Sequence, residues 1–251
     1  MGSRIRLSVV IPTYRAAPHL PKLFKVLEQS FSSFPSYEIL FIEDNSPDET
    51  WEKLCLLCKN YSHLPIKILG LPKNLGQQMA TLLGLFHAQG EYVATLDDDL
   101  QVDPKSILLL YEHAQKTKAE IVYGIPKTSH HPAISRLGSR CLRYLLPFEY
   151  ASSCRLLMGS LAASLFDLSS SYANIEDLVY RLTSRVSSFP IDHKARDLSP
   201  SSYSLIDRVA LGIRILTQIV LPHYIPFFRF STRRLRDFLA WEKFEFISHQ
   251  T

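Results

Sequence analysis

The chain has 251 residues, 46% of them hydrophobic and 21% charged, with a formal net charge of +4. That length and balance suit one α/β domain with a sizeable core, or a domain plus a small appendage. The weak positive charge, with no basic stripe interleaved with aromatics, excludes a nucleic-acid binder, and four cysteines in a chain this long exclude a disulfide framework.

Arg6-Leu-Ser-Val-Val-Ile-Pro-Thr-Tyr14 is a short apolar run closed by a proline, a buried strand emerging into a loop. Pro18 to Phe34 carries Leu20, Leu23, Phe24, Leu27 and Phe31 at helical spacing. A second strand, Tyr37 to Asp44, again ends in acid, and Asn45-Ser-Pro-Asp-Glu-Thr50 turns into a helix reaching about Tyr61. Cys55-Leu-Leu-Cys58 lies inside that helical pattern, so packing is its expected role rather than metal or redox chemistry. Ile66 to Leu69 is a third strand. Asn74-Leu-Gly-Gln-Gln-Met-Ala80 opens a helix ending at Ala88, Tyr92 to Leu96 is a strand, Pro104 to Lys116 a helix, and Glu120 to Gly124 a strand. Alternating β and α units predict a mostly parallel sheet with helices on both faces. Such sheets bind ligands at the carboxyl ends of their strands, here Pro12/Tyr14, Glu43/Asp44 and Asp97/Asp99.

The pattern changes beyond residue 125. Ala133 to Leu146 reads as a basic amphipathic helix, Gly159 to Leu168 and Ile175 to Arg185 as further helices, and Phe189 to Ala195 as an irregular strand. Ser204 to Leu221 is an apolar helix with Arg208 and Arg214, leading into a basic, aromatic tail. No transmembrane helix is expected. Residues 209–228 are broken by Arg214, Gln218, Pro222, His223 and Pro226, short of ~20 uninterrupted apolar residues, and suit a membrane interface instead. Reduced cysteines and no signal peptide before Leu7 predict a cytoplasmic chain, peripheral at the inner face of the membrane.

The chemistry concentrates in Asp97, Asp98 and Asp99. In an extended chain Asp97 and Asp99 point the same way and Asp98 away. Two carboxylates aimed at one point need a cation, and hard oxygens suit Mg²⁺ or Mn²⁺ completed by water and substrate phosphates. The alternative is a solvated acidic turn, with Asp103-Pro104 starting the next helix. There is no Gly-rich phosphate loop, so phosphate binding falls to the metal.

Four collinear motifs resemble the family 2 glycosyltransferases, which have a GT-A fold: Ser8-Val-Val-Ile-Pro-Thr-Tyr14, Glu43-Asp-Asn-Ser-Pro-Asp-Glu-Thr50, Asn74-Leu-Gly-x3-Ala80-x3-Gly84-x3-Ala88-x-Gly90, and Asp97-x-Asp99-x-Gln101-x2-Pro104. Arg155-Leu-Leu157 and His193-Lys-Ala-Arg196-x4-Ser201-Ser-Tyr203-Ser look most like the polyprenyl-phosphate branch, which includes dolichyl-phosphate mannose synthases. The resemblance implies a catalytic domain over 1–205, with a nucleotide-sugar half (1–125) and an acceptor half (126–205), and an amphipathic helix and tail over 206–251. It implies that Pro12 and Tyr14 line the base pocket, Asp44 accepts from base or ribose, and Asp97 and Asp98 lie against the donor. Asp99, with Asp97, holds the divalent cation, and Gln101 meets donor phosphate or acceptor. A lipid phosphate acceptor is already an anion and needs only positive charge, which Lys127, Arg136, Arg155 and Arg196 would supply, beside Arg140, with Ser139 and Ser201 as hydroxyl donors. A saccharide acceptor needs a base, for which Glu176 or Asp177 is the candidate. Where the family usually has Asn-Glu after the tyrosine, this chain has Arg15-Ala16, which also leaves open a non-catalytic nucleotide-sugar-binding subunit. Expected partners are the donor, a polyprenyl phosphate or saccharide acceptor, and a membrane surface or membrane subunit, with self-association left open.

Overall fold

The computed structural model describes residues 4–127, 152–168, 175–194 and 245–248. Eight strands form one sheet in the order β7-β5-β6-β4-β1-β2-β3-β8. They are β1 (Leu7–Thr13), β2 (Tyr37–Glu43), β3 (Ile66–Gly70), β4 (Tyr92–Thr95), β5 (Ile121–Pro126), β6 (Arg155–Met158), β7 (Val186–Ile191) and β8 (Glu245–Ser248). The helices are α1 (Leu20–Phe31), α2 (Thr50–Asn60), α3 (Gln77–His87), α4 (Lys105–Thr117), α5 (Gly159–Leu168) and α6 (Ile175–Leu182). The centre of the sheet, β4-β1-β2-β3, is parallel, as is β5 with β7. All seven residues of β1 are buried, as a strand covered on both faces requires.

Two cores lie against the two faces. Leu20, Leu23, Phe24, Leu27 and Phe31 of α1 join Leu54 and Cys58 of α2 and Ile107 and Leu110 of α4 on one side. Cys58 is therefore a packing residue, and burial pushes its thiol up to about 12. On the other side α3 packs through Ala80, Leu83 and Gly84. A Cβ on Gly84 would sit 2.2 Å from Val10 Cγ1 and 3.0 Å from Ile42 Cγ1. The small residues at Ala80 and Gly84, one turn apart, thus let α3 press onto β1 and β2.

Pro12 lies within β1 rather than closing it. The Val10 carbonyl accepts the Leu96 amide, so alternate residues of β1 face β4, but β4 leaves the ladder at Thr95. The amide that Pro12 lacks would have pointed where no partner strand remains.

Three elements differ from the sequence expectation. Arg155–Met158 is a strand, antiparallel between β4 and β5; its run of four residues shows no alternation to announce it. The irregular strand expected from Phe189 begins earlier, at Val186, because the preceding helix stops at Leu182 and Thr183 Oγ1 takes the Arg185 amide. Within the expected tail, Glu245–Ser248 pairs antiparallel with β3 and extends the sheet edge. The expected helices over 133–146 and 204–221 lie outside the described residues.

Candidate active site

The carboxyl ends of β2, β1 and β4 are neighbours in the sheet, so the three polar strand ends form one edge. After β1 the chain turns sharply, with Arg15 at φ 55 and its amide on Ser46 Oγ at 3.0 Å. Thr50 Oγ1 takes the next two amides, those of Ala16 and Ala17, at 3.0 and 3.1 Å. This network fixes Tyr14 at the rim, 42% exposed, with the Arg15 guanidinium 5.3 Å from its ring centroid.

Asp44 is only 2% exposed. Its two oxygens accept the amides of Leu75 at 2.6 Å and Gly76 at 2.8 Å. Those bonds hold residues 74–76 out of the helix, with Gly76 at φ 85, so α3 starts at Gln77 rather than at Asn74 as its pattern suggested. Burial raises the Asp44 pKa despite the two amide bonds, with Glu43 adding to the rise. The described structure thus gives Asp44 a loop-holding job.

The acidic stretch is a turn, not an extension of β4. The strand ends at Thr95, Asp98 and Asp99 lie in the turn, and Leu100 follows at φ 58. The alternation argument for Asp97 and Asp99 therefore does not apply. Asp98 does not point away from the other strand ends: its Oδ2 accepts the Tyr14 amide at 3.4 Å. Asp97 accepts from Gln77 Nε2 at 2.6 Å and from Ser153 Oγ. Asp99 Oδ1 accepts the Gln101 amide at 3.1 Å. Burial, with Asp99 and Asp97 adding, pushes the Asp98 carboxyl up to about 7 against the lowering effect of the Tyr14 amide. Burial also raises Asp97, partly offset by Ser153, Arg155 and His193. The next helix begins at Lys105 with Pro104 as its cap residue, one position later than expected, and Asp103 Oδ1 takes the Lys105 amide at 3.0 Å.

A cleft of ≈ 300 Å³ opens beside Asp97, lined by Pro12, Gln77, Thr81, Ser153, Arg155 and Glu176 among others. Arg155, assigned to acceptor phosphate by resemblance, is 6% exposed, and its Nη1 donates to Glu176 Oε1 at 2.8 Å. Glu176, a candidate base, is thereby bound to a guanidinium. Past β7, the chain crosses the acidic turn: Val102 bridges to His193, and the Lys194 amide donates to the Gln101 carbonyl at 2.8 Å. Lys127 sits by this crossing, its Nζ 3.0 Å from Asp192 Oδ2 and both side chains exposed. Arg136, Ser139, Arg140, Arg196 and Ser201 lie outside the described residues, as does the side chain of Asp177. Gln77 and Ser153, which hold Asp97, were not singled out from sequence. The available signals were position alone: the first helical turn after Asn74-Leu-Gly76, and the approach to Arg155.

Among the described residues no group of three His, Cys, Asp or Glu is arranged as a metal cage. The donor set nevertheless fits Mg²⁺ or Mn²⁺, which bind through one or two carboxylates plus water and substrate phosphate. Crowded acids whose pKa values rise through burial and mutual repulsion are what such a cation would relieve.

A central parallel sheet with an acidic turn at its carboxyl edge places the chain in the GT-A class of glycosyltransferase folds. The mannosyltransferase from Pyrobaculum calidifontis, solved with GDP-Man and Mn²⁺, shares this fold with a TM-score of 0.64 at 16% identity, over 92% of this chain and 66% of that one. The chain belongs to glycosyl transferase family 2, whose family model it matches over residues 8–168. It is 35% identical over 120 residues to the dolichol-phosphate mannosyltransferase of Pyrococcus furiosus, covering 48% of this chain and 33% of that protein. It is 26% identical over 220 residues to the undecaprenyl-phosphate 4-deoxy-4-formamido-L-arabinose transferase of Erwinia tasmaniensis, covering 84% of this chain and 67% of that one. The chain thus spans a third of the archaeal relative and about two thirds of the bacterial one.

Proposed function

We propose that this chain is a divalent-metal-dependent, inverting glycosyltransferase that moves a sugar from a nucleotide-sugar to a polyprenyl phosphate. The observation that carries the reading is the single polar edge made by the ends of β2, β1 and β4, in a family 2 chain whose relatives are named for polyprenyl-phosphate acceptors. The base lies at the β1 and β2 ends, against Pro12 and the exposed Tyr14 ring, with Asp44 holding the loop beneath. The diphosphate lies at the acidic turn. Asp99 and Asp97 would hold Mg²⁺ or Mn²⁺, which would supply Lewis-acid stabilisation for the charge on the leaving diphosphate.

The pairing of Glu176, one of the two candidate bases, supports a lipid phosphate over a saccharide acceptor. A saccharide hydroxyl needs a general base, and the Glu176 carboxylate is engaged by Arg155 at 2.8 Å. A lipid phosphate needs none. It attacks the anomeric carbon from the face opposite the departing diphosphate, positioned by Lys127, Lys194 and the basic residues that follow. The segment between residue 206 and β8 carries the chain to a membrane surface or a membrane subunit, at the side where the nucleotide-sugar is dissolved, while β8 itself belongs to the sheet. No described helix is long and apolar enough to cross a membrane.

The test is turnover with Mn²⁺ across a panel of nucleotide-sugars, with and without short-chain polyprenyl phosphate. Lipid-linked sugar is the expected product. Donor turnover that requires a saccharide instead would move the acceptor assignment, and tight donor binding with no transfer to either class would make the chain a binding subunit.

A further inference from the structure

Asp97 follows Leu96, whose amide is bound to the Val10 carbonyl at 3.0 Å, so its backbone is fixed to β1 just where β4 leaves the ladder. Its side chain is held separately, one oxygen from each side. Gln77 Nε2, in the first turn of α3, donates to Oδ1 at 2.6 Å, and Ser153 Oγ, on the approach to β6, donates to Oδ2. Resting on the function proposed above, we infer that Gln77 and Ser153 are positioning residues. They set the direction of Asp97 before cation and diphosphate arrive, and the affinity for the metal-bound diphosphate depends on them.

The acidic turn gives Asp97 a reason to need such support. Asp99 repels it, and Asp97 and Asp99 together repel Asp98. A carboxylate crowded by like charges rotates away from them unless something holds it. Both donors are uncharged, so they fix Asp97 without neutralising it, as a lysine in either place would. Each uses one lone-pair direction of one oxygen. An ionised carboxylate has about four such directions, which leaves both oxygens able to reach a cation.

The two donors are themselves anchored. Thr95, the last residue of β4 and 2% exposed, donates its hydroxyl to the Ser153 carbonyl. The Cys154 carbonyl, next along, takes the Gly124 amide of β5 at 2.9 Å. Ser153 therefore brackets the end of β4, holding Thr95 with its carbonyl and Asp97, two residues on, with its hydroxyl. Gln77 follows Gly76, whose amide is bound to the buried Asp44 at 2.8 Å, and its own carbonyl takes the Thr81 hydroxyl at 2.8 Å. Outer partners of this kind, which orient a metal-binding carboxylate, control affinity by roughly 10–100-fold. Gln77 and Ser153 lie on opposite sides of residue 125, so the direction of Asp97 depends on both parts of the chain.

The experiment uses the full chain, with isothermal titration of UDP and GDP in Mn²⁺ and thermal unfolding in metal-free buffer. Wild type should bind at least one of the two diphosphates. Ser153→Ala and Gln77→Ala should each weaken that binding roughly tenfold. Metal-free Tm should fall by no more than about 4 °C in either, since both side chains are exposed. Ser153→Thr, which retains Oγ, should keep the wild-type affinity. Unchanged affinity in either alanine variant removes that residue from the role, and unchanged affinity in both overturns the inference while leaving the glycosyltransferase reading intact. A loss that Ser153→Thr shares, or one matched by a large fall in metal-free Tm, makes the contacts structural and also overturns it. No binding of either diphosphate to wild type overturns both the inference and the reading beneath it.

Discussion

Asp44→Asn separates two roles for one carboxylate. Asp44 is 2% exposed and accepts the Leu75 and Gly76 amides at 2.6 and 2.8 Å. In the variant one acceptor oxygen becomes an NH₂ aimed at a backbone N–H, so one bond is lost and two donors face each other with little access for water. An unsatisfied buried donor costs ~1–3 kcal/mol, and a bond to a charged acceptor contributes ~1.5–3 kcal/mol. Part of that is returned, because burial already penalises the Asp44 charge more than the amides reward it. A net loss of about 1–3 kcal/mol follows. For a chain this long, each 1 kcal/mol lowers Tm by about 2–4 °C, so the expected fall is roughly 2–12 °C. Nucleotide affinity should weaken alongside, because Gly76 leads into Gln77 and Gln77 holds Asp97 at 2.6 Å. Thermal unfolding and nucleoside diphosphate titration with Mn²⁺ measure both. A wild-type Tm with affinity down about tenfold would refute the reasoning and place Asp44 on the donor itself.

Asp99→Asn should abolish Mn²⁺-dependent donor binding while Tm in metal-free buffer stays near wild type; unchanged metal dependence in the titration would remove Asp99 as a ligand. Gly84→Ala gains helix propensity of ~1 kcal/mol but drives a Cβ to 2.2 Å from Val10 Cγ1, an overpacking cost of ~1–3 kcal/mol. The net expectation is a lower denaturation midpoint, and a higher one would contradict the close packing of α3. Arg155→Met or Glu176→Met alone leaves one buried charge unpaired, at ~3–5 kcal/mol, whereas the double variant should recover most of the loss; additive losses in a denaturant double-mutant cycle would count against a coupled pair. Burial, with Lys67 adding, lowers the His87 pKa below its ordinary 6.5, so the unfolded chain takes up the proton more readily than the folded one. Stability from this group is therefore full above pH 6.5 and is lost as pH falls toward the lowered folded value; His87→Gln should flatten that segment of the unfolding-versus-pH curve.

The first 125 residues were legible because their signals are local and periodic. The apolar runs of β1 to β4 sit between helices patterned at 3.6 residues, and that rhythm alone specifies a parallel sheet with strand ends on one edge. What the sequence concealed was tertiary. Asp44 looked like a ligand group because it ends a strand, yet its partners are amides thirty-one and thirty-two residues on, a pairing visible only once the 74–76 loop has been folded back. Asp97, Asp98 and Asp99 were read as an extended continuation of β4, and the positive φ of Leu100, a residue type that rarely adopts it, gave no hint of the turn. β6 is the most consequential omission. Four residues without alternation carry no periodic signature, but inserted antiparallel between β4 and β5 they place Arg155 in the cleft beside Asp97, where Glu176 from α6 meets it. The ion pair thus joins a strand and a helix from beyond residue 125 to the acidic turn that precedes it. The cleft is thus assembled from both sides of residue 125: Pro12, Gln77, Thr81 and Asp97 come from before it, and Ser153, Arg155 and Glu176 from beyond it.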